Sequence, residues 1–568
     1  MMQTSDVRDD IEPLVPKPNV RRSGIRGALD WYLAWALPGM GMFSEAYIVF
    51  SSGQVGTFQQ VMYPTCFVDV VDCDDALVKH VASYILICGI MAGMLLWGFL
   101  GDYTGRKWGS RCVSAIMLSG CILLTFSPWA GSPYGYFAYF VTAQTWYGFG
   151  VGGEYPMASS SAAERSSTTP ELRAYRGRQV VLVFSNQGMG NLICSIVILI
   201  SMAIFGQTGS VKQMTFTGAQ SVLALTYGFG AVACVVMVLY RFIYLHESKL
   251  FEEVALIESS IPQQGTQSAS VLRRHVVSLR QYWPRQMSAS VTWICNDFAF
   301  YGNKLQQGLF ISLLYPTATP FVKQQWTVLN GFIALLGYYA AAWIIDRKWY
   351  GRVRMQNVGF LAMFVFYIII YGQWENMGAH GAPGAGVQAF QALYYLSSFF
   401  NQFGPNATTW LVAGEIFPTD IRSSYHGFAA CMGKLGAIIA SLWISYIADQ
   451  RKVFLVSALW GIAGWFFTTV WMPDTTGLEL EEYDRMQRYL LEGRFKEYRG
   501  EAVNPRHLSL WEIYVLGWHK QYDPVADKKA FEVEVQRLSC IPQAMEEMGR
   551  LSKLSKDEFV RLSMAPKV

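Results

Sequence analysis

Residues 80–128 read HVASYILICGIMAGMLLWGFLGDYTGRKWGSRCVSAIMLSGCILLTFSP. Two apolar runs, each near the ~20 residues a helix needs to cross about 30 Å of hydrocarbon, flank one short polar loop. Such runs recur along most of the chain. Of its 568 residues, 52% are hydrophobic and 15% charged, where a soluble domain carries about 25% charged residues; the mean hydropathy is +0.22. Membrane spans are therefore the unit to count. The pattern predicts an all-α membrane protein with spans near 29–51, 80–100, 108–128, 137–160, 178–204, 221–244, 288–314, 325–345, 355–374, 385–412, 424–447 and 452–472.

These spans divide the chain. An N-terminal segment, 1–28, precedes a six-helix bundle, 29–244. A polar linker, 245–287, contains the flexible run Gln263-Gln264-Gly265-Thr266-Gln267-Ser268. A second six-helix bundle, 288–472, is followed by a charged tail, 473–568, whose run Leu478–Glu492 reads as a surface helix. The first 27 residues are polar and carry no apolar signal core, so the first span is expected to act as an uncleaved anchor. The 51 glycines and 19 tryptophans suit close helix packing and interfacial belts; the net charge of +4 decides little.

Basic residues set the orientation. Loops after spans 2, 4, 8 and 10 carry Arg106, Lys107, Arg111, Arg165, Arg173, Arg176, Arg178, Arg347, Lys348, Arg352, Arg354 and Arg422. The opposite loops carry only Lys79, Lys212, Lys323, Arg451 and Lys452. The positive-inside rule places the first set, and with it both termini, in the cytosol. Cys66 and Cys73 share a loop on the other side, where a disulfide or two free thiols are both open.

Acids inside the spans are the chemical signal. A charge at bilayer depth costs at least ~3 kcal/mol on insertion scales and is kept for a task. Asp297 lies one helical turn from both Trp293 and Tyr301, so the three share a face. A proton arriving with substrate would remove the charge on Asp297 that repels an anion; the alternative is a packing acid bonded to a hydroxyl. Lys304, two turns on, could bind an anionic group or hold Asp297 ionised, or snorkel to a headgroup. Glu154 follows Gly148, Gly150, Gly152 and Gly153 and precedes Pro156; it and Glu45 are candidate proton acceptors. Gln187 and Asn406 offer donor and acceptor together. Lys434 supplies a buried positive field for an anion, or an interhelical ion pair. His426 reads as a packing histidine.

The halves echo each other. Gly101-Asp102-Tyr103-Thr104-Gly105-Arg106-Lys107 after span 2 answers Asp346-Arg347-Lys348-Trp349-Tyr350-Gly351-Arg352 after span 8, and Glu164 with Arg176 answers Glu415 with Arg422. Such pseudo-symmetry fits rocking halves with a site at mid-membrane. Asp102, Arg106, Glu164, Arg176, Glu415 and Arg422 fall at helix ends on the basic side. They are expected to form an exposed gating latch, each pair worth ~1 kcal/mol or less.

These motifs resemble the major facilitator superfamily. Within it, the chain resembles the phosphate:proton symporters and the related fungal glycerophosphodiester permeases. The likeness is carried by Gly152-Gly153-Glu154-Tyr155-Pro156, Asn186-Gln187-Gly188-Met189-Gly190-Asn191, the spacing Trp293, Asp297, Tyr301, the stretches Gly404-Pro405-Asn406-Ala407-Thr408-Thr409 and Gly414-Glu415-Ile416-Phe417-Pro418-Thr419, and Gly433-Lys434-Leu435-Gly436. The resemblance covers roughly residues 30–475. It implies twelve transmembrane helices in two pseudo-symmetric bundles and a substrate site lined by Tyr155, Gln187, Trp293, Asp297, Tyr301 and Asn406. It further implies proton handling by Glu45 and Glu154, and attraction of the anion by Lys434. The phosphate symporters have Asp where Glu45 and Glu154 stand, and Lys304 lies outside their pattern.

The expected function is a proton-coupled symporter of a small anion such as phosphate, a glycerophosphodiester or an organic acid, monomeric, in the plasma membrane. A neutral polyol, sugar or zwitterion carrier, or a nutrient sensor signalling through the tail, are the alternatives. No nucleotide loop, metal-spaced cluster or nucleophile motif points to an enzyme, a cofactor beyond the proton gradient, or a nucleic-acid partner.

Overall fold

The structure is a computed structural model that describes residues 25–67, 81–166, 170–248, 251–252, 271–305, 307–377, 385–447 and 449–539. Every regular element among them is helical. A short helix, α1 (Ile25–Ala36), precedes the first bundle: α2 (Met40–Met62), α3 (Ala82–Thr104), α4 (Arg106–Phe126), α5 (Pro133–Arg165), α6 (Arg176–Ile204) and α7 (Phe216–Ile243). The second bundle comprises α8 (Val271–Leu305), continued by α9 (Gln307–Leu314), then α10 (Pro320–Ile344), α11 (Gly351–Gly372), α12 (Ala385–Asn401) continued by α13 (Ala407–Glu415), α14 (Arg422–Tyr446) and α15 (Gln450–Trp471). Beyond it lie α16 (Leu480–Leu491), α17 (Leu510–Tyr514) and α18 (Pro524–Ser539).

Among the described residues, eight helices are long and apolar enough to cross a membrane by length and composition alone. The four others of the twelve are α2, α5, α8 and the α12–α13 pair, the first, fourth, seventh and tenth spans. α2, α5 and α8 carry buried polar side chains, described below, and neither α12 nor α13 is long enough by itself. The tenth is also broken. At Gln402–Asn406 the backbone leaves helical geometry at Gly404, followed by Pro405, and such a break is tolerated where protein partners satisfy the freed groups.

Two expectations shift. The span read at 29–51 is two helices, because Pro38 and Gly39 end α1 and the crossing helix begins at Met40. The seventh helix starts at Val271, inside the stretch read as linker; the Gln263–Ser268 run lies outside the described residues.

Glycines set how closely the helices pack. A Cβ on Gly93 would meet Phe149 O at 2.2 Å, and one on Gly152 would meet Ile90 O at 2.2 Å, so α3 and α5 touch backbone to backbone. The halves meet the same way, a Cβ on Gly427 of α14 falling 2.4 Å from Met94 O of α3. Cys66 is disulfide-bonded; Cys73 lies outside the described residues.

The tail is not a loose appendage. α16 buries Leu480, Tyr483, Asp484, Arg485, Met486 and Gln487, correcting the surface-helix reading. Its charged residues face partners on both sides: Asp484 takes Thr419 N at 2.5 Å and Thr419 Oγ1 at 2.8 Å, while Arg485 reaches Asp527 at 2.8 Å and Glu534 at 3.1 Å on α18. Further along, Glu512 pairs with the fully buried Arg285 of α8 at 2.5 Å.

Candidate functional site

Midway along the bundle, one hydrogen-bonded cluster joins the halves. From the first half, Tyr155 on α5 donates its hydroxyl to Glu45 Oε1 on α2 at 3.0 Å, and Gln187 Nε2 on α6 donates to Glu45 Oε2 at 3.3 Å and to Tyr155 Oη at 3.1 Å. From the second half, Tyr338 on α10 donates to Gln187 Oε1 at 2.8 Å, and Asn406 Nδ2 reaches Gln187 Oε1 at 2.9 Å, Tyr338 Oη at 2.6 Å and Gln402 Oε1 at 2.7 Å. An amide nitrogen has two hydrogens, so these three acceptors compete and the contact between halves can re-pair without breaking outright.

Asp297 and Lys434 complete the cluster. Lys434 Nζ on α14 donates to Asp297 Oδ2 at 2.9 Å and to Tyr155 Oη at 3.3 Å. It sits 4.6 Å from the Tyr155 ring centroid and 4.2 Å from that of Tyr301, a cation held between aromatic faces. The Tyr155 and Tyr301 hydroxyls meet at 3.4 Å, and the Trp293 ring lies 6.2 Å from that of Tyr155. The stripe of Trp293, Asp297 and Tyr301 thus faces the junction. Glu45 is 0% exposed, Asp297 1% and Lys434 1%. Among the described side chains the cluster thus holds two carboxyl groups and one ammonium; the ammonium pairs with Asp297, and the partners Glu45 touches by hydrogen bond are neutral.

The other sequence-picked residues sit elsewhere. Glu154 is gripped by Arg241 Nη2 of α7 at 2.6 and 2.5 Å, a buried pair inside the first half. Arg241 carried no mid-span signal because it lies near the end of its helix. The side chain of Lys304 lies outside the described residues; the role of holding Asp297 falls to Lys434. His426 packs edge-on to Trp293 at 5.3 Å and reaches Trp410 O at 3.3 Å. Sequence reading missed Tyr338, Asn296, Asn401 and Gln402. Asn296 adjoins Asp297, and Asn401 adjoins Gln402, so polar pairs inside apolar helices are the signal that marks them.

At the tail end, two matching charge clusters tie the halves. In one, Glu164 takes Arg106 at 3.1 Å and Arg422 at 3.0 Å, while Asp102 caps α14 through Ser423 N at 2.9 Å and Ser424 N at 2.7 Å. In the other, Glu415 takes Arg176 at 2.7 Å and Arg352 at 3.2 Å, while Asp346 caps α6 through Gly177 N at 3.1 Å and Arg178 N at 2.7 Å. Arg106, Glu164, Arg176, Glu415 and Arg422 are each at most 2% exposed. The exposed-pair expectation is therefore corrected: the closed halves and the tail cover these ends, Arg176 also donating to Leu478 O at 2.8 Å. Removing one partner of a buried pair costs ~3–5 kcal/mol rather than ~1.

The opposite end closes with neutral groups. Gln324 Nε2 on α10 donates to Gln54 Oε1 on α2 at 2.7 Å and to Ser195 O on α6 at 3.0 Å. Phe50 lies edge-on to Phe300 at 5.4 Å. With contacts across both ends, the cluster is occluded.

Comparison with known proteins places this arrangement. The family of sugar (and other) transporters matches residues 40–487, leaving the tail beyond Gln487 outside the match. Inorganic phosphate transporter 1-2 of Oryza sativa subsp. japonica is 27% identical over 517 residues, covering 80% of this chain and 94% of its own length. Inorganic phosphate transporter 1-1 of the same plant is 28% identical over 512 residues, covering 80% and 93%. Among solved structures, the proton:xylose symporter XylE bound to 6-bromo-6-deoxy-D-glucose aligns with a TM-score of 0.60 at 16% identity, covering 80% of this chain and 98% of that one; this likeness speaks to fold. The chain belongs to the sugar (and other) transporter family and is a multi-pass secondary transporter of the major facilitator fold.

Proposed function

We propose that this transporter is a proton-coupled symporter of a small phosphate-bearing anion, working by alternating access as a monomer in the plasma membrane with both termini cytosolic. The observation that carries the reading is the charge balance of the central cluster: among the described side chains, two buried carboxyl groups, Glu45 and Asp297, stand with one ammonium, that of Lys434 paired with Asp297, in an occluded space. An anion entering that space adds a further negative charge where desolvation makes repulsion costly. Protons on Glu45 and Asp297 remove the excess and free Lys434, with the amides of Gln187 and Asn406, to donate to the anion's oxygens. The phosphate transporters among the relatives favour this substrate class.

The cycle begins with anion and protons entering from the Gln54–Gln324 end. That end then closes, the buried arginine clusters open, and release follows on the side where the basic loops and tail lie, the cytosol by the positive-inside rule. Moving one charge through 100 mV supplies ~2.3 kcal/mol, enough to drive accumulation. The proton gradient is the proposed coupling partner. A second reading, a carrier of a neutral polyol, draws on the amides of Asn401, Gln402 and Asn406, which suit hydroxyls.

Uptake in a transporter-deficient cell decides between them, with inorganic phosphate, glycerophosphodiesters, organic acids and polyols offered at acidic and at slightly alkaline pH. The symporter reading expects acid-stimulated uptake of a phosphate-bearing anion that is abolished by Asp297→Asn. Uptake of a polyol at both pH values, or full acid-driven phosphate uptake by a well-folded Asp297→Asn variant, would overturn it.

A further inference from the structure

Asn296 has no place in the stripe of Trp293, Asp297 and Tyr301, because one residue along a helix is a rotation of about 100°. The fold nonetheless puts its amide at a junction. Asn296 Nδ2 donates to Asp297 Oδ1 at 3.0 Å and to Asn406 Oδ1 at 3.1 Å, while its Oδ1 accepts from Asn401 Nδ2 at 3.0 Å. The side chain is 0% exposed, so both hydrogens are committed and water offers no substitute. One amide nitrogen thus bridges the acid of the second half and the residue that touches the first half through Gln187.

We propose that Asn296 is a positioning residue that carries the protonation state of Asp297 to the contact between the halves at Asn406. The proposal rests on the symport reading above. The physics is donor–acceptor matching. An ionised Asp297 offers Oδ1 as acceptor, and the Asn296 N–H meets it. When Oδ1 takes a proton, its O–H faces the Asn296 N–H, donor against donor. The amide then turns so that its oxygen accepts from Asp297; Asn406 Oδ1 loses its donor, and Asn401 Nδ2 loses its acceptor. Asn406 already has three acceptors competing for its own two hydrogens. Losing the tie to Asn296 lets it turn away from Gln187, which weakens the grip between the halves when the acid is loaded. No covalent bond changes; one proton moves onto Asp297 Oδ1.

Several ionisable groups face Asp297. Lys434 on α14 is paired with it, and Glu45 on α2, Tyr155 on α5, Tyr338 on α10 and Tyr301 on its own helix all feel its charge. Lys304 is on that same helix, its side chain outside the described residues. Asn296 itself does not titrate. Its removal therefore leaves the acid and every charged partner in place while cutting the link to Asn406, which makes it a clean probe.

The test uses the purified full chain in liposomes, with radiolabelled inorganic phosphate and a radiolabelled glycerophosphodiester as probes. Exchange at equal pH on both sides is measured beside accumulation driven by an acidic exterior. For Asn296→Ala the proposal expects exchange within about threefold of the parent, and a loss of about tenfold in the ratio of acid-driven to equal-pH uptake, the size of one net hydrogen bond. Asn296→Gln, which keeps the amide, should recover part of that ratio. Equal losses in exchange and accumulation, or an unchanged ratio, would overturn the proposal. If Asn296→Ala fails to reach the membrane, Asn296→Ser is judged by the same ratio. An unmodified chain that shows no acid stimulation fails the symport reading itself, and is distinguishable because it appears without any substitution at Asn296.

Discussion

The central cluster and the tail-end charge clusters are both buried, both ionic and both join the two halves, yet they are built on opposite plans. At the tail end, Arg106, Arg422, Arg176 and Arg352 meet Asp102, Glu164, Asp346 and Glu415, four cations to four anions. At the centre, Asp297 is paired with Lys434 while Glu45 has no cation bonded to it among the described side chains, its partners being a phenol and an amide. A balanced set of arginine forks is geometrically specific and has no use for a proton. An unbalanced set whose amide hydrogens are already committed has a reason to take one. Equal burial therefore does not mean equal role: charge balance separates a clasp from a binding site.

Substitutions can break or sharpen this contrast. The largest effect is expected from Glu415→Ala, which takes away the carboxylate that Arg176 and Arg352 share. It should remove ~3–5 kcal/mol from the closed state, seen as a lower unfolding temperature and as faster alkylation of cysteines placed beneath the clasp. Stability equal to the parent would remove the distinction between the two regions.

Lys434→Ala should lower stability by about 3 kcal/mol, because Asp297 is left buried and unpaired. Adding Asp297→Asn should restore the unfolding temperature but not transport. A double variant as unstable as the single one would show that the cation does more than balance charge.

Glu45→Gln keeps a hydrogen-bonding group of the same size and should shift stability by about 1 kcal/mol or less. Its expected signature is kinetic: phosphate uptake that no longer rises with acidity. A pH profile matching the parent would place the coupling proton elsewhere. The smallest effect is expected in the tail, where Arg488 is 30% exposed and its partner Glu534 is 19% exposed. Arg488→Ala should cost ~1 kcal/mol or less in unfolding measurements; a larger loss would make α18 part of the clasp.

Much of this was legible in the chain. Spans could be read from apolar runs because a bilayer leaves a helix few alternatives. The Gly101–Lys107 and Asp346–Arg352 loops announced the repeat. The acids stood out because charge is rare at that depth, and Trp293, Asp297 and Tyr301 could be set on one face by spacing alone. The failures have physical causes. Pro38 and Gly39 were overlooked within an apolar run, so α1 and α2 were merged. Glu154 looked like Glu45 in sequence, and only the approach of α7 brought Arg241 to it. The clasp was judged exposed because sequence does not show that the tail covers it.

Local sequence, then, determined what each helix is: its length, its apolar faces and the rare polar residues it carries into the bilayer. These follow from periodicity and the cost of an unpaired polar group in hydrocarbon. Which of those residues meet was decided by tertiary structure alone. Glu45 and Asp297 lie in different halves of the chain, and their shared surroundings exist because glycine-lined helices bring the two halves into contact. Partner choice depends on angstrom-scale approach between distant segments. That approach put Lys434 beside Asp297, Arg241 beside Glu154 and Asn296 between an acid and the opposite half.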